Sequence, residues 1–176
     1  MITITEALAE TKTIEKRLAK KKQWVMASLF RQEGMKDPNE KEGGTPKLLA
    51  SELQSILDLG IRLIGIRRAI ANANASETIT IAGWTQSISD WLTYRREILP
   101  KEKQFVAEMR QRIDAVRADS LKRGFAVAEG TGTKPTDIVL HLSEAELAKK
   151  IEFLEELEGT LDGQLSLKNA TIMVEV

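Results

Sequence analysis

The sequence contains no cysteine and only one histidine, His141, in 176 residues. Without cysteine the chain has no disulfide, no thiol nucleophile and no cysteine-ligated zinc. A single histidine also excludes imidazole metal clusters and most chemistry that depends on a Ser-His or Cys-His pair. We therefore expect that the protein is not an enzyme and uses no cofactor, and we identify no catalytic or metal-binding residue.

The chain also lacks an excess of charge of either sign and a long hydrophobic run. Lysine and arginine number 26, as do aspartate and glutamate, so the formal net charge is zero. This balance argues against general affinity for nucleic acids or anionic membranes. The most apolar stretch, residues 56–70, contains charged side chains and falls short of the roughly 20 apolar residues of a membrane span. The first residues lack the pattern of a secretory signal, and we expect a location in the cytoplasm or in a virion.

What the sequence does have is a series of helical apolar patterns. Thr3 and Glu6 have the spacing of a capping box, and an apolar seam with a seven-residue repeat follows them. Thr45-Pro46 begins a second helix, because threonine suits the N-cap and proline the first helical position. That helix carries two apolar stripes, with Leu49, Leu53, Ile56, Leu63 and Ile70 on one and Leu57, Ile61 and Ile64 on the other.

Two apolar stripes predict that this second helix is central and buried on more than one side. Gly60 and Gly65 within it each cost about 1 kcal/mol relative to alanine. We expect that the close approach of a neighbouring backbone compensates this cost.

Several short β segments separate the remaining helices. Thr78-Ile-Thr-Ile81 before Ala82-Gly83 predicts a short strand and a turn. Apolar strands are expected at 138–142 and 171–176, on either side of a last helix that a capping box of Ser143 and Glu146 opens. These two strands either pair in parallel through that helix or pair with the strand at 78–81.

These patterns predict a mainly α fold: an antiparallel helical bundle of long helices with a few short β-strands in a small sheet. We divide it into a helical bundle over 1–124, with a short β-turn at 77–84, and a strand–helix–strand segment over 125–176. The second segment is expected to pack on the same domain.

A basic run on the first helix is the first candidate binding feature. The charges are Lys12, Lys16, Arg17, Lys20, Lys21 and Lys22. No aromatic residues are interleaved for base stacking, so nucleic acid is not the expected partner. The run is either solvated or neutralised by the glutamates of the last helix, within or between subunits, or it contacts an anionic or acidic partner through residues 16, 17 and 20–22.

The short strands and Trp84 are the second candidate. Because an isolated pair of strands is only marginally stable, the strand residues Ile79, Ile81, Ile172, Val174 and Val176 are candidate interface residues. Trp84 follows a tight turn, where it is either an interface anchor or a core residue.

The order of short motifs along most of the chain resembles the septicolysin-like family of small bacterial and phage-encoded proteins. The motifs are Asp37-Pro38-Asn39-Glu40, Arg67-Arg68, Asn72-Ala-Asn74, Thr78-Ile-Thr-Ile-Ala-Gly83, Asp90-Trp-Leu-Thr-Tyr-Arg95-Arg96 and Leu161-Asp162-Gly-Gln164. The family name implies a pore-forming toxin, and the resemblance brings no catalytic motif with it.

These observations lead to one principal hypothesis and two alternatives. The principal one is a non-enzymatic structural protein that forms a homo-oligomer or joins a larger particle, such as the head, neck or tail of a phage virion. The first alternative is a membrane-active, pore-forming protein, for which the central helix is the candidate surface. The second is an anion-binding or nucleic-acid-binding module that uses the basic first helix.

Overall fold

A computed structural model describes residues 1–130, 134 and 137–176, and 72% of them are helical. The Gly-rich segment 130–136, for which the sequence predicts a flexible loop, lies mostly outside the described residues. The helices are α1 (Ile4–Ala27), α2 (Thr45–Ser76), α3 (Ile88–Thr93), α4 (Leu99–Arg123) and α5 (Glu144–Thr171), with a π-helical segment at Tyr94–Ile98 and a 3-10 turn at Glu40–Glu42. The strands are β1 (Ile2–Thr3), β2 (Thr78–Ile81), β3 (Trp84–Ser87), β4 (Val127–Glu129), β5 (Ile138–Leu140) and β6 (Met173–Val174). The mainly α fold with minor β structure is confirmed.

The predicted capping boxes form at the starts of two long helices. At α1 the Thr3 hydroxyl accepts from the Glu6 N–H at 3.2 Å, and the Glu6 carboxylate accepts from the Thr3 N–H at 2.7 Å. Ser143 and Glu146 make the same pair of bonds at α5, at 3.1 and 3.0 Å. Each box satisfies N–H groups that the first helical turn leaves without a partner.

The described chain forms two compact units, residues 1–77 with 166–176, and residues 78–165. The boundary predicted after residue 124 lies inside the second unit.

The first unit is an antiparallel pair of helices, α1 and α2, with a small β ribbon. Glu10 pairs with Arg62 at 2.6 Å and Lys21 with Glu52 at 2.7 Å. The later residue of α1 pairs with the earlier residue of α2, as antiparallel helices require. The core residues of this unit are Ile4, Ala7, Ile14, Ile66 and Val174. Strands β1 and β6 pair antiparallel, with Ile2 opposite Val174.

The second unit contains α4 antiparallel to the 144–165 part of α5. Lys103 pairs with Glu158 at 2.7 Å and Arg95 with Asp162 at 2.8 Å, and the core residues between the helices are Leu99, Val106, Leu147 and Leu154. Strands β2 and β3 form a hairpin whose turn residues, Ala82 and Gly83, both have positive φ angles, as a tight two-residue hairpin turn requires.

The predicted pairing of the last two strands is wrong. Strand β5 pairs in parallel with β4, and β6 pairs with β1. Helix α5 fills 28 of the residues between β5 and β6, and a straight helix of that length is about 42 Å long. The strands at its two ends have three and two residues and span only about 10 Å. They are too short to run back along the helix and lie side by side.

Candidate functional site: an exposed apolar face on helix α2

Helix α2 has one buried side and one exposed apolar side. Leu59, Leu63, Ile66 and Ile70 pack in the core of the first unit, and Ile66 is only 1% exposed. The side chains of Leu53, Leu57, Ile61 and Ile64 are 54%, 58%, 62% and 58% exposed. Their spacing of four, four and three residues places them on one stripe of the helix. The prediction that both stripes of this helix are buried is therefore wrong for the described chain.

Smaller exposed residues extend this stripe in both directions. We define the α2 face as Ala50, Leu53, Leu57, Ile61, Ile64, Arg68, Ala71 and Ala75, all of which are exposed. From Ala50 to Ala75 the face is about 37 Å long at 1.5 Å per residue. Its one charged member is Arg68.

Gly60 and Gly65 lie halfway along the length of the α2 face, and around the helix they flank it. A Cβ built on Gly60 or on Gly65 has no heavy atom within 4 Å outside the local helix backbone. The close backbone approach predicted at these glycines is therefore absent from the described chain. The space beside both residues is open.

The charges of α2 divide into paired and unpaired groups. Glu52, Arg62 and Arg67 form ion pairs with α1. Along the α2 face, Asp58 and Arg68 have no ion pair among the described residues. The Asp58 carboxylate accepts only a local hydrogen bond from the Gln54 side chain, at 2.8 Å. One unpaired negative and one unpaired positive charge thus remain beside the apolar stripe.

A groove of about 610 Å³ lies beside the α2 face, between the C-terminal half of α2 and β6. Arg68 and Gly65 line it from the helix, and Ile172 and Val174 line it from the β6 side. The α2 face is therefore continuous with the groove along the last strand.

The structure separates the six predicted interface residues into core and surface. Ile79 and Ile81 are each 4% exposed and Val174 is 5% exposed. These three residues belong to the core of their own units, because the ribbon and the hairpin pack on helices of the same chain. Ile172 is half-buried, and its carbonyl oxygen accepts from the Ile4 N–H at 3.1 Å.

Trp84 and Val176 are the two exposed members of that set, at 54% and 47%. Trp84 lies on β3 opposite Ile81. Of the two alternatives for Trp84, the structure shows the surface position.

The basic run lies on α1, and one of its residues forms an ion pair with a described residue. Lys21 forms its ion pair with Glu52, whereas Lys16, Arg17, Lys20 and Lys22 are exposed. The acidic partner of Lys21 lies on α2 and not on the last helix, where the sequence predicted it. Contact of the remaining charges with an anion stays a prediction.

Sequence reasoning found the four large apolar residues of the α2 face but assigned them to the interior, with Leu53 on a separate stripe. The two-stripe pattern is the same whether the second stripe is covered by the chain or by a partner. The available signal, which was missed, was the pair of opposite charges, Asp58 beside the apolar stripe and Arg68 beyond its C-terminal end.

Among residues 1–130, 134 and 137–176, no group of three or more histidine, aspartate or glutamate side chains is arranged to hold a metal ion. None of the described helices combines the length and apolar character needed to cross a membrane.

Comparison with known proteins adds evidence about the fold. No family model matches the chain, and no curated protein does. A crystal structure of a functionally unknown conserved protein from Corynebacterium diphtheriae matches with a TM-score of 0.55 and 18% sequence identity over 99% of each chain. The whole described chain therefore has a fold similar to that of a solved bacterial protein, and at this identity the likeness concerns the fold alone.

Proposed function

We propose that this protein is a non-enzymatic structural protein that assembles with other protein through the α2 face. The observation that carries the proposal is the exposure of Leu53, Leu57, Ile61 and Ile64 on one stripe of a well-formed helix. Single exposed apolar residues are normal on protein surfaces, whereas a contiguous apolar patch is typical of an interaction site.

Covering this stripe contributes part of the free energy that association needs. Full burial of one leucine or isoleucine side chain contributes about 1.5–3 kcal/mol. The four side chains are each more than half exposed, so covering them contributes roughly 3–6 kcal/mol before the cost of association. The apolar surface that a partner buries against the stripe adds to this amount, so the expected contact is weak and reversible.

Site-specific photo-crosslinking in cells tests the proposal. A photoreactive amino acid replaces Ile61 on the α2 face or, as a matched control, Leu121 on α4, which is 80% exposed. We expect protein adducts from position 61 that are absent from position 121. Equal labelling at the two positions, or no protein adduct at position 61, would contradict the proposal.

A membrane-active protein is the second candidate, and the same α2 face favours it. An amphipathic helix inserts its apolar side at the boundary of headgroups and acyl chains, and α2 has such a side. Dye-filled vesicles of neutral and of anionic lipid distinguish the two candidates. Release that depends on Ile61 supports membrane activity, and the absence of release at micromolar protein removes it.

The narrower hypothesis of a phage virion component stays a prediction from the family resemblance. Co-purification of the protein with intact virions tests it. A virion component is present at a fixed copy number per particle, whereas a free cellular protein is lost when particles are purified.

A further inference from the structure

We infer that the occupant of the α2 face is the α2 face of a second copy, packed antiparallel about a two-fold axis between Ile61 and Ile64. The inference rests on the proposed function and specifies its partner. Four observations support it: the spacing of the apolar residues, the open space at the two glycines, the two unpaired charges and the continuous exposure of the face.

The spacing of the face is nearly the same in both directions from its centre. Under the proposed two-fold, Ile61 faces Ile64 of the second copy, Leu57 faces Arg68, Leu53 lies by Ala71 and Ala50 faces Ala75. Each pair sums to 124 or 125 in residue number, so the whole face is in register with itself about this centre. A centre between Leu57 and Ile61 also gives register, but it brings the Asp58 carboxylates of the two copies together, which is unfavourable. A two-fold interface requires such self-complementarity, since one surface patch serves both partners.

The glycines are positioned to let the two helices approach closely. Gly60 and Gly65 lie at equal distances from the centre of the face, and the space where their Cβ atoms would stand is open. Helices pack most closely where small residues allow the backbones to approach. A second helix that crosses at this point provides the neighbouring backbone that Gly60 and Gly65 lack in the described chain.

The unpaired charges are complementary under the same symmetry. Asp58 lies about four and a half residues before the centre, and Arg68 lies about five and a half after it. Antiparallel packing brings Asp58 of one copy beside Arg68 of the other, and the two-fold makes this pair twice. A parallel arrangement places like charges together, which is unfavourable. The charges therefore select the antiparallel orientation.

Sedimentation velocity of the purified full chain from about 1 to 200 µM tests the inference. We expect a reversible monomer–dimer equilibrium. Ile61→Glu places a charge in the apolar centre twice per dimer and is expected to raise the dissociation constant at least about 100-fold. Leu121→Glu on α4 is the matched control and is expected to leave the dissociation constant unchanged.

Charge reversal tests the orientation. Asp58→Arg alone or Arg68→Asp alone is expected to weaken the dimer about 10-fold through like-charge repulsion. The double variant Asp58→Arg/Arg68→Asp restores the pairs and is expected to return within about threefold of the unmodified protein. Failure of this rescue would overturn the antiparallel arrangement.

The cysteine-free sequence allows an independent measurement. The double variant Leu57→Cys/Arg68→Cys is expected to form a disulfide-linked dimer, because the two positions face each other between copies. Leu57→Cys alone is expected not to crosslink, since residues 57 of the two copies lie about 16 Å apart in this register.

A chain that stays monomeric over the whole range overturns the inference. Its failure is distinguishable from failure of the proposed function. Photo-adducts at position 61 with a different protein would contradict a second copy as the occupant but would still support the assembly function. Binding to vesicles in place of protein would contradict both the second copy and the assembly function.

Discussion

The indole Nε1 of Trp91 donates a hydrogen bond of 3.0 Å to the backbone carbonyl of Ile79. Trp91 is 1% exposed on α3, and Ile79 is a buried residue of β2. The bond ties the β2–β3 hairpin to the helix that follows it. A two-stranded hairpin is marginal by itself, and this contact explains how the hairpin is held within the chain.

Replacement of Trp91 by phenylalanine is expected to destabilise the second unit by about 1–3 kcal/mol. The variant removes the donor to a buried carbonyl and also leaves space in the core. Urea unfolding followed by far-UV circular dichroism measures the change. Trp84→Phe is the control, because Trp84 is exposed, and its expected effect is within about 0.5 kcal/mol. Equal effects of the two variants would contradict the role of the bond.

Local signals in the sequence predicted the starts of α1 and α5 correctly. At α2 the predicted N-cap is wrong by one residue: Gly44 is the N-cap, and Thr45 is the first helical residue, with its hydroxyl donating to Asp37. The capping boxes at Thr3 and Ser143 depend on residues three positions apart, so the sequence alone contains the whole interaction. The pairing of β6 with β1 depends on residues at opposite ends of the chain. No local pattern specifies such a partner, and the prediction of strand pairing failed for that reason.

Gly60→Ala is expected to affect folding and association in opposite directions. Alanine raises the stability of the helix by about 0.5–1 kcal/mol, since the space for its methyl group is open and glycine has the larger entropy cost. At the proposed crossing point the same methyl group separates the helices and weakens the dimer. Thermal unfolding at protein concentrations below the dissociation constant measures the stability of the monomer. Sedimentation at concentrations above it measures the strength of the dimer.

Gly163→Ala on α5 is the control for that experiment. Its Cβ position is equally open, and it lies outside the α2 face, so only the gain in stability is expected. If Gly60→Ala left the dimer as tight as Gly163→Ala does, the glycine would not lie at the crossing point.

The capping carboxylate of Glu146 makes stability depend on pH in the acidic range. Hydrogen bonds from the Ser143 N–H and then from its hydroxyl lower the pKa of Glu146 below its usual value of 4.5. The folded state therefore binds this proton less readily than the unfolded chain. The corresponding stabilisation is complete above the unfolded pKa and is lost as the pH falls through the folded pKa.

Urea unfolding between about pH 3 and 7 tests this dependence. Glu146→Gln keeps a cap at this position but cannot titrate, so its stability deficit relative to the unmodified protein is expected to shrink as the pH falls. Glu156→Gln on the same helix is the control, because Glu156 has no hydrogen bond or ion pair among the described residues. A constant deficit for Glu146→Gln across the range would contradict the argument.

The candidate site was only partly predictable, for a physical reason. Hydrophobic periodicity identifies which residues of α2 share a stripe, and it grouped Leu57, Ile61 and Ile64 correctly. Periodicity does not tell whether the chain itself or another molecule covers that stripe. The ion pairs of Glu52 and Arg62 with α1 decide the question, because they fix which side of α2 faces inward.

The last prediction concerns Tyr94, the only tyrosine of the sequence. Tyr94 lies in the π-helical segment with its ring edge-to-face on Trp91, at a centroid distance of 5.8 Å. Its hydroxyl donates to Glu102 at 2.7 Å. Burial first, and then the hydrogen bond to Glu102 and its negative charge, raise the pKa of Tyr94 to about 12 from 10.0.

Because the chain has one tyrosine and its three tryptophans do not ionise, the change in ultraviolet absorbance on phenol ionisation reports this residue alone. We expect folded protein to titrate at about 12, and Glu102→Gln to titrate between that value and 10.0, since burial persists after the charge is removed. The unfolded chain loses the proton at the lower pH, so the free energy of unfolding falls as the pH rises from about 10 towards 12. Titration of the folded protein at the value of free tyrosine, or an unchanged pKa in Glu102→Gln, would show that the bond to Glu102 does not hold the proton.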